Sequence, residues 1–228
     1  MTLACAKCPV RDRAACAVLD PRDREALARK GRHRTLARGE TLFTAGETQA
    51  TCATLVRGAL KVAALDADGT EHILALVHPA GFVGELFTAY SGHDVVALGE
   101  AEVCLFPADT IEEATEDHPE LARALLRRAQ EDLYASRELL ALNARKSARA
   151  KVAGLLMALA RSASGSPCHP ASRFDLPLKR SDIAAMLGLT IETVSRQIGA
   201  LEKDGLIVRH GRSGIELVDP AGLVTATA

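Results

Sequence analysis

Residues 179–204 read KRSDIAAMLGLTIETVSRQIGALEKD, two apolar-periodic segments hinged at Gly188. Ile183, Met186 and Leu187 share one face of the first segment; Val194, Ile198 and Leu201 share one face of the second. A glycine suits the tight turn between them, and Thr190 stands where the second helix needs an N-cap oxygen. That is the pattern of a helix-turn-helix. Residues 205–217, GLIVRHGRSGIEL, follow with two short β runs around a glycine-rich tip, the expected form of a wing. A winged helix-turn-helix domain is therefore expected over residues 146–228.

On the second helix Glu192, Ser195 and Arg196 fall at i, i+3 and i+4, so all three project from one face near its amino-terminal end. In such motifs that end enters the major groove. There an arginine pairs with guanine, a glutamate accepts from the cytosine amino group and a serine suits several base edges. The same spacing also suits a surface ion pair between Glu192 and Arg196. Lys179, Arg180 and Thr190 complete the candidate contacts to double-stranded DNA. The charge balance agrees: the net charge of the whole chain is −1, but residues 145–228 carry +5 and residues 1–144 carry −6.

Upstream, residues 31–108 break into short apolar runs, among them ATLVRGALKVAAL at 53–65 and EVCLF at 102–106, punctuated by glycines. This texture predicts a β-barrel or roll. Residues 109–145 change to helix formers, with no glycine from Thr110 to Val152. Leu126, Leu133 and Leu140 take one seam position there; Ala129, Ser136 and Asn143 take the other. The half-polar seam suits either a weak helix pair between two copies of the chain or a helix packed on its own barrel.

Six cysteines in 228 residues do not read as a disulfide framework. Cys5, Cys8 and Cys16 form C-x2-C-x7-C within a segment covering residues 1–30, and Cys104 closes the last β run. Four thiolates of this kind suit a [4Fe-4S] cluster or a tetrahedral zinc. Cys52 and Cys168 match no ligand position and are expected to be buried or free. No signal-peptide core and no membrane-length apolar run is present, so a cytoplasmic chain is expected. Nor is there an HExxH, a phosphate loop or a GxSxG turn, and no enzymatic activity is expected.

With these motifs in hand the sequence resembles the Crp/Fnr superfamily of bacterial regulators over essentially its whole length. The resemblance rests on LGLTIETVSRQIGALEKDGLI and on the E-x-x-S-R triplet of Glu192, Ser195 and Arg196. It implies an α+β chain with an N-terminal β-roll like the cyclic-nucleotide-binding jelly roll, a long dimerisation helix and the C-terminal winged helix-turn-helix. It further implies a homodimer on a palindromic operator with TTGAT-like half-sites, and activation through contact with RNA polymerase. Gly84-Glu85-Leu86 matches a family turn, but the chain has no arginine from Val83 to Pro107 to pair with a cyclic phosphate, so cyclic AMP is not expected. The cysteines resemble the oxygen-sensing Fnr type, in the spacing variant of its FnrN and FixK-like relatives. Cys5, Cys8, Cys16 and Cys104 would then hold a [4Fe-4S] cluster that supports the seam until oxygen, or nitric oxide, dismantles it. Competing readings are a structural zinc at these cysteines, or a small-molecule or haem signal in the roll with His72, His78 or His93 as axial ligands.

Overall fold

The computed structural model describes residues 5–48, 50–164 and 169–227. Cys168 lies outside the described residues.

Alternating apolar residues build eight strands: β1 Arg32–Leu36, β2 Thr41–Phe43, β3 Thr51–Arg57, β4 Leu60–Leu65, β5 Glu71–Val77, β6 Phe82–Val83, β7 Asp94–Ala97 and β8 Ala101–Pro107. They form two four-stranded sheets, ordered β1-β8-β3-β6 and β2-β7-β4-β5. Leu36, Leu55, Leu60, Val95, Val103 and Leu105 belong to the core of this roll. In β8 the two-residue period sends Ala101, Val103 and Leu105 inward and leaves Glu102 and Cys104 half-buried on the opposite face. Cys104 stands directly across from His33 of β1 and Thr54 of β3.

Helical segments supply a second apolar layer. A single 3-10 turn at Cys5–Lys7 and another at Ala15–Val18 precede α1, Pro21–Lys30. Asp20 starts α1, its side chain accepting the Asp23 N–H, with Pro21 in the first turn. Ala15, Leu19 and Leu27 form one buried cluster with Cys52, Phe106, Ile111 and Leu121.

The stretch expected to be one helix over 109–145 is two, α2 Ala108–Asp117 and α3 Pro119–Asn143. Pro119 explains the break: its ring displaces the preceding residue from helical geometry and it has no N–H to continue the ladder, yet it fits the first position of a new helix. On α3 the leucines of the expected seam are exposed, at 62% for Leu126, 50% for Leu133 and 69% for Leu140. Ala129 is exposed beside them. This face is therefore not spent on the chain's own roll; Leu121, Ala124 and Leu125 make those contacts instead. Asn143 departs from the expected seam. It is half-buried, and its Nδ2 donates to the Met186 carbonyl at 3.0 Å. Its Oδ1 is buried without a hydrogen-bond partner among the described residues.

The division between two compact units falls inside α3, between Ala135 and Ser136, upstream of the boundary expected at residue 146. In the second unit α4 Ala148–Ser162, β9 Arg173–Asp175, α5 Arg180–Leu187, α6 Ile191–Lys203, β10 Ile207–His210, β11 Gly214–Leu217 and α7 Pro220–Thr225 follow in order. Ile183, Met186, Leu187, Val194, Ile198 and Leu201 are buried, as the periodicity of residues 179–204 requires, and Ile215 of β11 is buried with them. β9 carries no strand signal of its own beyond three residues. Its neighbour is β11, which brings the sheet to the order β10-β11-β9 and buries Phe174 opposite Ile215.

Candidate functional site

The helix-turn-helix is held by local chemistry. Gly188 ends α5 in the left-handed region at φ 60°, the conformation that favours glycine. Thr190 then caps α6, its hydroxyl accepting the Thr193 N–H at 3.2 Å. Glu192, Ser195 and Arg196 are all exposed on α6. No ion pair joins Glu192 to Arg196 among the described residues. The Glu192 carboxylate is instead held below its ordinary pKa by its own backbone N–H, and secondarily by the Thr190 hydroxyl. Among the described residues the Arg196 guanidinium reaches only the Thr193 hydroxyl, at 3.5 Å, so both charged groups remain available to a groove.

Lys179 is exposed and Arg180 half-buried at the start of α5. Arg180 lines a polar cavity of about 430 Å³ with Glu202, Arg209 and the wing tip residues Arg212 and Ser213. Burial first, then the neighbouring charge of Arg209, pushes the Arg180 guanidinium down from its ordinary pKa. Arg209 is fixed to Glu202 through Nε at 2.8 Å and through its backbone N–H at 3.1 Å. The sequence reading missed Arg209, Arg212 and Glu202, because the RHGR tip of the wing read only as a turn. Two basic residues next to a wing glycine were the available signal.

In the first unit, Cys5, Cys8, Cys16 and Cys104 line one cavity of about 190 Å³. Val10, Val56, Phe82, Leu121 and Leu125 contribute its apolar wall. Burial, then the proximity of Cys5 and Cys8, pushes the Cys16 thiol up to about 11. Burial, then Cys8, Cys5 and Cys16, pushes Cys104 up to about 12. Burial thus disfavours the thiolate forms of Cys16 and Cys104 unless a cationic group compensates. Lys7, Arg11, Arg24 and Arg57 stand around the same cavity, with Glu102 as its acidic member, which favours a guest of net negative charge.

Among the described residues no three His, Cys, Asp or Glu side chains converge closely enough to hold a single metal ion. A mononuclear zinc needs its sulfurs about 2.3 Å from one point, whereas each cysteine of an iron–sulfur cube meets a different iron. Four cysteines around one cavity are a donor set that suits either an iron–sulfur cube or a tetrahedral zinc. Cys52 is buried, its Sγ 3.8 Å from the Phe106 carbonyl, and it does not line the cavity.

The histidines of the alternative haem reading do not line the thiol cavity either. His72 lies in β5, His78 follows that strand, and His93 stands 3.9 Å from Glu85 in the loop before β7. At the Gly84-Glu85-Leu86 turn, Glu85 accepts the Gly92 N–H at 3.1 Å and Glu112 accepts the Phe87 N–H at 2.7 Å. Both carboxylates thus serve to hold the loop, and no arginine lies between Val83 and Pro107 to pair with a cyclic phosphate.

No helix among the described residues is long and apolar enough to cross a membrane. Residues 150–226 match the Crp-like helix-turn-helix domain, and residues 33–118 match the cyclic nucleotide-binding domain. The transcriptional activator protein FnrL of Cereibacter sphaeroides is 34% identical over 223 residues, 96% of this chain and 90% of the relative. The nitrogen fixation regulation protein FixK of Bradyrhizobium diazoefficiens is 32% identical over 222 residues, covering 95% and 91%. Among solved structures, FixK2 from Bradyrhizobium japonicum superposes with a TM-score of 0.78 at 26% identity, over 87% of this chain and 98% of that one.

Proposed function

Because this chain belongs to the Crp/Fnr family of transcriptional regulators and carries its DNA-binding helix-turn-helix, we propose that it is an oxygen-responsive activator governed by a [4Fe-4S] cluster at Cys5, Cys8, Cys16 and Cys104. The observation that carries this reading is the single cavity lined by all four thiols, with Leu121 and Leu125 of α3 in its wall. A bound cluster supplies the sensitivity to oxygen, by being dismantled in its presence.

The chain's own residues couple the state of that site to DNA binding. Cys5, Cys8 and Cys16 hold the amino-terminal segment, and Cys104 anchors it to the outer face of β8. The segment packs on the first turns of α3, through Ala15 and Leu19 against Leu121. Beyond those turns the exposed Leu126, Leu133 and Leu140 meet the same stripe of a second copy in a cytoplasmic homodimer. Two α6 helices then read the half-sites of a TTGAT-like palindrome through Glu192, Ser195 and Arg196. A monomer meets only one half-site, so release of the segment lowers specific affinity. Bound at its operator, the dimer recruits RNA polymerase.

Anaerobic purification with iron and acid-labile sulfide analysis, followed by visible spectra before and after air, tests the reading. About four irons per chain and a broad absorption that bleaches in air are expected. Zinc, or no metal, would overturn the cluster and leave the DNA-binding assignment in place.

A further inference from the structure

We propose that Arg128 is the positioning residue through which the cysteine segment fixes α3, an inference that rests on the cluster-dependent dimer described above. Between Cys8 and Cys16 the chain makes a helical turn in which the Arg13 and Ala14 N–H groups both donate to the Val10 carbonyl, at 3.0 and 2.8 Å. Val10 and Ala14 are buried against Val56 and Ala80, with Cys8, Cys16 and Cys104 packed on the same cluster. The carbonyl of Arg13 in this turn accepts a hydrogen bond from Nη2 of Arg128. The other arm of that guanidinium, Nη1, is held by Glu131 at 2.7 Å.

This link differs in kind from the apolar contacts beside it. Packing of Leu121 and Leu125 is non-directional and tolerates sliding or rotation of α3. A planar guanidinium held at both arms fixes an angle as well as a distance. Arg128 also lies between Leu126 and Ala129, at the level where the exposed stripe begins. A shift of the Val10–Ala14 turn, which Cys8 and Cys16 flank, therefore withdraws the Arg13 carbonyl and frees α3 at its seam. The far end of the segment stays clamped, since Arg24 donates to the carbonyls of Cys16, Ala17 and Leu19 at 3.2, 3.1 and 2.7 Å. Motion is thereby confined to the turn that Arg128 reads.

The test uses the full chain purified without oxygen. Iron content and the dimer dissociation constant, by sedimentation, are measured before and after air for wild type, Arg128→Met, which keeps an apolar stem, and Arg128→Gln, which is polar but too short to reach Arg13. Wild type is expected to show a change of roughly tenfold or more in the constant on air exposure. Both variants are expected to hold iron as wild type does, with a change below about twofold. A wild-type response in either folded variant overturns the inference. Loss of iron in both also overturns it, because Arg128 would then support the cavity rather than transmit its state. A wild type that lacks iron, or whose dimer ignores air, overturns the parent reading and this one with it.

Discussion

Val103 and Cys104 are neighbours in β8 and face opposite sides of its sheet: Val103 is fully buried in the roll core, and Cys104 is packed with Cys8 and Cys16 on the outside. The strand period thus lets one short run serve the core and the thiol cavity at once. Cys104→Ser is expected to abolish iron binding while the roll stays folded, measured by iron analysis and near-UV circular dichroism. Cys52→Ala shares the outer face but not the cavity. It should keep its iron and lose about 1 kcal/mol of stability for the buried sulfur removed.

Gly154 permits the close approach of α4 to the end of α3, since a Cβ there would overlap Cδ2 of Leu142 and crowd the Arg145 guanidinium. Arg145 in turn donates to the Thr227 carbonyl at 2.6 Å. Gly154→Ala is expected to destabilise the second unit by about 1–3 kcal/mol, the range of core overpacking. Thermal denaturation checks this; an unchanged midpoint would show that Leu142 repacks freely.

Arg196 and Arg212 should fail differently on DNA. Removing Arg196, on the exposed face of α6, is expected to cost about 1–3 kcal/mol and to relax preference at one base pair of each half-site. Removing Arg212, at the wing tip beside Arg180, should weaken all sequences alike and reduce the slope of log K against log salt by about 0.9 for each phosphate no longer neutralised. Titrations on specific and scrambled duplexes at several salt concentrations separate the two.

Glu192 gives a pH prediction. Its carboxylate is stabilised by its own N–H and by Thr190, so its pKa is lowered in the folded chain. The associated stability is therefore present above the ordinary carboxylate pKa and is lost as pH falls through the lowered one. Thr190→Val should raise the Glu192 pKa toward its ordinary value and remove the α6 cap, at a cost of about 1 kcal/mol. A carboxyl-detected NMR titration of Glu192 reads the shift; an unmoved midpoint would exclude the Thr190 contribution.

The sequence by itself determined the elements whose signal is local. Ile183, Leu187, Val194, Ile198 and Leu201 repeat at the helical period, Gly188 and Thr190 punctuate them, and short apolar runs between glycines mark the roll. These patterns are legible because side-chain direction follows from backbone geometry within a few residues. Pro119 belonged to the same legible class, although the glycine-free run around it concealed the break between α2 and α3. Tertiary structure decided what depends on distant partners. β9 exists because β11 lies beside it; Arg209 is held by Glu202; Asn143 is drawn from the seam toward Met186. The gathering of Cys104 with Cys5, Cys8 and Cys16, and the reach of Arg128 to Arg13, are of this second kind. Spacing in the chain names such residues, but only the packing of α3 and the amino-terminal turns on the outer face of β8 brings them together.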